Sequence, residues 1–354
     1  MSHYSIAVIP GDGIGQEITP PAVAVLERLA EVIGTFSAEY TMLPWGSDYY
    51  KQHGVMMPDD GLETLKRYDA IYFGAVGSRE VPDHVSLRGL RLKICQGFDQ
   101  YANVRPAYLL PGIPSPLRDK QAGDIDLVVV RENTEGEYTG AGGRPHRGHP
   151  AEVAVQTAVF TRSGTERVIR YAFELARSRP RHHLVSVTKS NAQEFSLGMW
   201  DEIFEEVGAD FPDVTTERML VDAMAARLVR SPESLDVLVA SNLFGDILTD
   251  IGGAIIGSLG VAPSGNINPE HDYPSMFEPI HGSALDIVGQ NIANPLGMLL
   301  CGAMMLDYLG QPEAAQRLTD AVQAVTGAGH TLTPDVGGNA TTTAVCDAVK
   351  AALG

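Results

Sequence analysis

Cysteine is scarce in this chain: three residues in 354, Cys95, Cys301 and Cys346, with no C-x-x-C pair. An odd, scattered set provides neither a disulfide framework nor a cysteine zinc site. Basic charge is also in deficit, 26 Lys and Arg against 44 Asp and Glu, for a net charge of −18. That balance excludes nucleic acid or an anionic membrane as the main partner. An anionic small molecule would have to be drawn in by locally placed arginines or by a bound cation. Long hydrophobic runs are missing. The most apolar one, residues 296–306, is too short to span a bilayer and is broken by Gly302, so it reads as a core or interface helix. The opening MSHYSIAVIPGDG has neither a basic n-region nor an apolar h-region, and a reducing cytoplasm is the expected compartment. Repeats, low-complexity tracts and long linkers are absent as well. What is left is a globular composition, 44% hydrophobic, in a chain long enough for two domains that a shared sheet or short crossings would join.

Hydrophobic periodicity supplies the elements. Residues 4–9 read as a buried strand, 10–15 as a turn and 16–32 as an amphipathic helix. The turn contains GDGIG, and Glu31 falls near where a ribose-binding acid would be expected. Its spacing, however, is G-x-G-x-G rather than the G-x-G-x-x-G of a dinucleotide fingerprint, so a tight turn is the reading. Strands near 38–43 and 69–76 alternate with helices at 59–67 and 86–94, which points to a largely parallel sheet with helices packed on it. Extended segments follow at 103–110 and 127–130, then a glycine- and histidine-rich loop and an alternating strand at Val153, Val155, Thr157 and Val159. His146 and His149 in that loop have no carboxylate or cysteine at ligand spacing and read as a solvated turn. Helices are expected at 166–178, 194–207, 294–309, 312–325 and 342–353, strands at 184–188 and 235–240, and a second βα passage that includes 221–229.

Three polar clusters end or follow apolar strands. In SNLFGDILTD (241–250), Asp246 and Asp250 stand four apart, so on a helix both carboxylates lie on one face, a pair suited to a hard divalent cation. Two acids on one face are also what a solvated surface shows; the preceding apolar run, which puts them past a strand's carboxyl end, favours the ligand site. Arg105, Arg131 and Tyr138 form the second cluster, with guanidinium groups suited to a bidentate grip on a carboxylate or to plain surface ion pairs. Lys189, at the end of a strand in VTKSN, is either a base whose pKa nearby cations lower or an ordinary snorkelling lysine. Asp222 lies in LVDAMAARLV, upstream of the aspartate pair.

IPGDGIGQEI, YANVRP, VVRENTEGEY, TKSN, SNLFGDILTD, FEPIHGSALDI and NIANP occur in this order across nearly the whole chain. In these motifs the sequence resembles the β-decarboxylating 2-hydroxyacid dehydrogenases, the isocitrate/isopropylmalate dehydrogenase family. PDHVSL, GFDQYANVRP and APSGNINPE are most similar to its tartrate and D-malate branch. The resemblance implies an α/β fold like that of isopropylmalate dehydrogenase, two open α/β domains sharing a sheet. Residues 1–100 and 255–354 would form the cofactor side, and 101–254 the dimerisation and metal/substrate domain with a protruding β arm at 138–160. It implies NAD, Mg2+ or Mn2+, and a homodimer with shared active sites, and it allows a monovalent cation. Asp246 and Asp250 would bind the metal with Asp222 of the partner subunit. Arg105 and Arg131 would hold the substrate, while Lys189, also from the neighbour, removes the hydroxyl proton and Tyr138 protonates the product carbon. Ile14 would face the nicotinamide. Asn191, His281, Gly282, Ser283, Ala284 and Asn294 would also contact the cofactor, with Asp286 on the ribose hydroxyls, where its charge repels a 2′-phosphate.

The chain departs from that pattern at Cys95, where the family usually carries an arginine ten residues before the one at Arg105. Arg91, one turn earlier, could reach the same space and would make an apolar substrate substituent unfavourable. The expected activity is oxidation of tartrate or D-malate, with decarboxylation of D-malate. The alternatives are 3-isopropylmalate dehydrogenase and a non-catalytic regulatory subunit on the same fold.

Overall fold

The computed structural model describes residues 2–354. The elements run β1 (Ser2–Gly11), α1 (Gly15–Ile33), β2 (Phe36–Met42), α2 (Ser47–His53), α3 (Gly61–Leu65), β3 (Ala70–Ala75), α4 (Asp83–Ser86) and α5 (Leu92–Gly97), the last two joined by a π-helical turn at Leu87–Arg91. There follow β4 (Ala102–Tyr108), β5 (Asp126–Glu132), β6 (Gly142–Gly143), β7 (Val155–Gln156), α6 (Arg162–Ser178), β8 (His183–Thr188), α7 (Glu194–Gly208), β9 (Thr215–Leu220), α8 (Val221–Arg230), β10 (Val237–Ala240) and α9 (Asn242–Ile255). The chain closes with β11 (Gly265–Ile267), β12 (Ser275–Phe277), α10 (Leu296–Tyr308), α11 (Pro312–Ala328) and α12 (Thr342–Leu353).

One sheet of ten strands carries the molecule, in the order β2-β1-β3-β12-β11-β4-β5-β10-β8-β9. Its two flanks are parallel, as alternating strands and helices require. The sheet is largely parallel, as expected, and its middle is an antiparallel seam, β12 to β11, β11 to β4 and β4 to β5. β11 and β12, three residues each, are too short to show a period, and they were not foreseen. Nor were α2, which lies in a turn-rich stretch, or the edge strand β9, with its polar TTERML. The alternating strand expected at residues 153–159 shrinks to the two residues of β7, paired with two glycines of β6. A ladder of that length has no sheet face to bury, so Val153 and Val155 stand about half exposed, at 51% and 53%. The apolar run at 296–306 is a core helix: α10 buries Leu296, Met298, Leu299, Cys301, Met305 and Leu306.

At the amino ends of the second flank a buried carboxylate ties three elements together. Asp236, fully buried, accepts from Arg179 Nε at 2.6 Å and from the His183 backbone N–H at 3.4 Å, while Arg179 Nη2 donates to Asp126 Oδ1 at 2.8 Å. Arg179 caps α6, so the ion pair clamps that helix to the starts of β5, β8 and β10. Removing one partner of a buried pair strands the other in a medium that cannot solvate it. Arg179→Met is expected to lower unfolding free energy by about 3 kcal/mol, measured by urea denaturation; an unchanged midpoint would show that water reaches Asp236.

Candidate active site

Antiparallel pairing sets Arg105 opposite Val129 and Arg131 opposite Asn103, so alternation along β4 and β5 turns both arginines to one face of the seam. Helix α9 starts directly after β10 and packs on that face through Gly245, where an added Cβ would lie 2.6 Å from Arg131 Cβ. Only glycine allows this approach, and it brings Asp246 onto the two guanidinium groups. Arg131 Nη1 pairs with Asp246 Oδ1, and its Nε and Nη2 donate to Asn242 Oδ1 at 3.0 and 2.7 Å. Arg105 Nη1 donates to Thr249 Oγ1 at 2.6 Å and to Asp246 Oδ1 at 3.4 Å. Tyr138 donates its hydroxyl to Asp246 Oδ2 at 2.7 Å, beneath the Arg131 guanidinium. The three groups of the predicted substrate cluster and the first predicted metal ligand are therefore one hydrogen-bonded unit.

These groups line a cleft of about 190 Å³ together with Arg91, Glu278 and His281. Typical sites for drug-sized ligands are roughly 300–1,000 Å³, so this one suits a small molecule. Burial, then Arg131 and Arg91, presses Arg105 down to about 9. Asp246 is held below the ordinary carboxylate value: burial opposes its charge, but Arg131 and Arg105 outweigh that. Burial and then Asp246 push Asp250 up, and among the described residues no cation pairs with it. Burial and the hydrogen bond to Asp246 raise Tyr138. A larger cavity of about 640 Å³, lined by Leu110, Ile256, Val261, Leu300 and Met304, has Asp126 and Arg179 on its wall, already paired to each other.

Other predicted residues gather elsewhere. Lys189 Nζ and Asp222 form an ion pair in which Asp222 is held below its ordinary pKa by the ammonium. The neighbour of Lys189 is thus a carboxylate, which corrects the expectation of nearby cations. Neither residue lines the cleft, nor does Asn191, and among the described residues no three His, Cys, Asp or Glu side chains converge on one point. His146 and His149 lie on the exposed arm. The cofactor-side residues do come together. Ile14 N donates to Ser283 O at 3.0 Å, and His281, lowered by burial, points Nε2 into the interior with no partner. Asp286 is exposed, and Asn294 donates to Asp335 Oδ2 at 3.0 Å. Cys95 is buried outside the cleft, its thiol raised to about 11 by burial. The π turn sets Arg91 against the cleft instead.

Four residues of this constellation were missed in the sequence: Asn242, Thr249, Glu278 and Asp12. All four stand inside motifs already singled out, but nothing in their spacing distinguishes them. Asp12, buried, accepts from Ser47 N and Oγ, both at 2.7 Å, and from Gly77 N at 2.8 Å, which holds the glycine turn in place.

An isocitrate dehydrogenase from Methylococcus capsulatus superposes with a TM-score of 0.88 at 34% identity, covering 99% of both chains. The fold is therefore that of an α/β dehydrogenase. The family model described as isocitrate/isopropylmalate dehydrogenase matches residues 5–349, and this chain belongs to that family and is an oxidoreductase. It is 59% identical over 353 residues to a probable tartrate dehydrogenase/decarboxylase of Agrobacterium vitis, spanning all of this chain and 98% of that one. Identity is 52% to a D-malate dehydrogenase (decarboxylating) of Escherichia coli strain K12, over 99% of this chain and 98% of that one. It is 50% to a tartrate dehydrogenase/decarboxylase of Pseudomonas putida, with the same coverage. Among the described residues no helix is long and apolar enough to cross a membrane.

Gly13, with φ +56°, lies where a Cβ would be 2.1 Å from Ser283 O. Gly13→Ala is expected to break the Ile14–Ser283 bond and speed amide exchange at Ile14 by at least about tenfold, read by hydrogen exchange. Unchanged protection would mean that the two loops do not depend on this contact.

Proposed function

We propose that this chain is an NAD-dependent, divalent-metal-dependent dehydrogenase of tartrate or D-malate, decarboxylating the latter. The observation that carries the reading is a small cleft in which Arg91, Arg105 and Arg131 outnumber Asp246 and Glu278, an excess of positive charge that draws in a small carboxylic acid. The relatives named for tartrate and D-malate point the same way.

The residues present fit the two implied groups. Asp246 and Asp250 offer hard oxygen ligands, and Asp250 lacks any other counter-charge. The Gly13 and Ser283 contact, the unpartnered His281 Nε2 and the exposed Asp286 fit a nucleotide laid along the loops. Among the described residues Asp222 does not converge with the aspartate pair and does not line the cleft, so it would come from the partner subunit, as would Lys189 and Asn191. Exposed apolar side chains support such a dimer: Val229 on α8 at 50%, Ile247 on α9 at 53% and Val155 on the arm. Three free, buried thiols accord with a reducing cytoplasm.

When bound, the cation would acidify the substrate hydroxyl and NAD would accept the hydride. Arg105 and Arg131 orient the diacid through its carboxylates. Lys189 of the partner subunit, in its neutral form once Asp222 is drawn to the cation, would take the hydroxyl proton at Nζ. Tyr138, its phenol kept protonated by burial and Asp246, delivers a proton from Oη to the carbon that loses CO2. The main rival substrate, isopropylmalate, would press an alkyl group on the charged pair Arg91 and Glu278, which disfavours it.

With NAD and Mn2+, the purified protein should form NADH from tartrate or D-malate, and CO2 in step with NADH from D-malate. No NADH from any hydroxy diacid would favour the non-catalytic subunit. Asp222→Asn and Asp246→Asn should each be inactive alone. If the two aspartates serve one site from different subunits, mixing and reassembling the variants should restore about a quarter of wild-type activity, because half the dimers then hold one intact site of two. No restoration would place both in the same subunit's site.

A further inference from the structure

The π-helical turn at Leu87–Arg91 brings a third arginine to the cleft, but one unlike the other two. Arg91 is buried, at 8% exposure, and its Nε and Nη2 both contact Glu278 Oε1 at 2.7 Å. Nη2 also donates to Asn266 Oδ1 at 3.3 Å, and Asn266 Nδ2 donates to the same Glu278 oxygen at 2.8 Å. Asn103 and Asn133 hold Asn266 Oδ1 from the other side, each at 3.0 Å, so the acceptor cannot turn away. Among the described residues Nη1 has no protein partner, although Arg91 lines the cleft beside Arg105, Arg131 and Asp246. The guanidinium is thus pinned on one edge, neutralised by a buried carboxylate, and left with one N–H group for a ligand.

A pinned and neutralised donor differs chemically from a free cation. It gains little from a carboxylate, because Glu278 stands behind it and repels a second anion, yet it can still donate to a hydroxyl. Arg105 and Arg131 share Asp246 between them and keep an excess of one positive charge toward the ligand's carboxylates. Building on the diacid reading above, we propose that Glu278 is a specificity-determining positioning residue. Through Arg91 it makes the cleft select a hydroxyl, and reject a third carboxylate, on the carbon beside the one oxidised. Tartrate carries that hydroxyl, D-malate carries hydrogen there and isocitrate carries a carboxylate-bearing branch. The cleft therefore ranks tartrate first and isocitrate last.

The test uses the full-length protein with NAD and Mn2+, kcat and KM for the three acids, and calorimetric dissociation constants for tartrate and isocitrate. Glu278→Gln keeps an oxygen for Arg91 but removes the charge. It should raise the isocitrate-to-tartrate ratio of kcat/KM about tenfold while KM for NAD moves less than about twofold. Arg91→Met with Glu278→Met removes donor and counter-charge together, leaving no stranded ion. It should lower the tartrate-to-D-malate ratio about tenfold, mainly through KM for tartrate, since a site built to bond a hydroxyl discriminates against its absence. Glu278→Asp should retain part of the tartrate preference. Ratios unchanged in both variants, or all three acids falling together with Tm, would overturn the role of Glu278 and leave the dehydrogenase reading standing. Wild-type protein inert toward all three acids would overturn both.

Discussion

The carboxylate of Asp246 is the point on which the cleft depends. Two guanidinium groups sit almost wholly inside the protein on neighbouring antiparallel strands, and such charges persist in a low-dielectric interior only when an anion faces them. Asp246 supplies that anion to Arg105 and Arg131 and still accepts from Tyr138. Itself 37% exposed, it leaves the arginines with charge to spare toward the cleft. The same side chain therefore holds both arginines and Tyr138 in place and is the carboxylate to which the proposed function assigns the cation. No second anion in the cleft serves both purposes, because Glu278 is taken up by Arg91.

That arrangement follows from the mixed sheet. A purely parallel order would separate β4 and β5 by a crossover, whereas the antiparallel seam sets them side by side with their polar residues on one face. α9 then closes over this face because Gly245 lets it approach Arg131 within contact distance. The loops proposed for the nucleotide belong to the other flank, and the turn after β1 reaches Ser283 through Gly13. Within one chain, Lys189 and Asp222 face each other instead of the cleft. The dimer proposed above gives them a use, and the exposed apolar residues of α8, α9 and the arm are the surface it would cover.

Much of this was legible in the sequence. The β-turn-α opening, the helices α6 and α7 and the C-terminal helices follow from apolar spacing, and the helical face shared by Asp246 and Asp250 follows from their four-residue separation. Arg105, Arg131 and Tyr138 were recognisable as one cluster because each follows or ends an apolar run. Strands of three residues have no period, and β11 and β12 stayed hidden for that reason. The two-residue ladder of the arm was overread from alternating valines that have no sheet to pack on. Glu278, Asn242 and Thr249 gave no signal, since a residue that positions another is defined by a partner more than a hundred positions away.

Composition, periodicity and motif order by themselves determined the α/β class, the family and the residue types of the site, because these depend on local propensity and on side chains fixed by chemistry. Which arginine is free and which is neutralised was decided only by the tertiary structure. Arg91 and Arg105 read alike in the chain. A wide helical turn and a strand from the far end of the sequence place Glu278 behind one of them, while the other shares Asp246. Charge in a buried cleft depends on distances between segments remote in sequence.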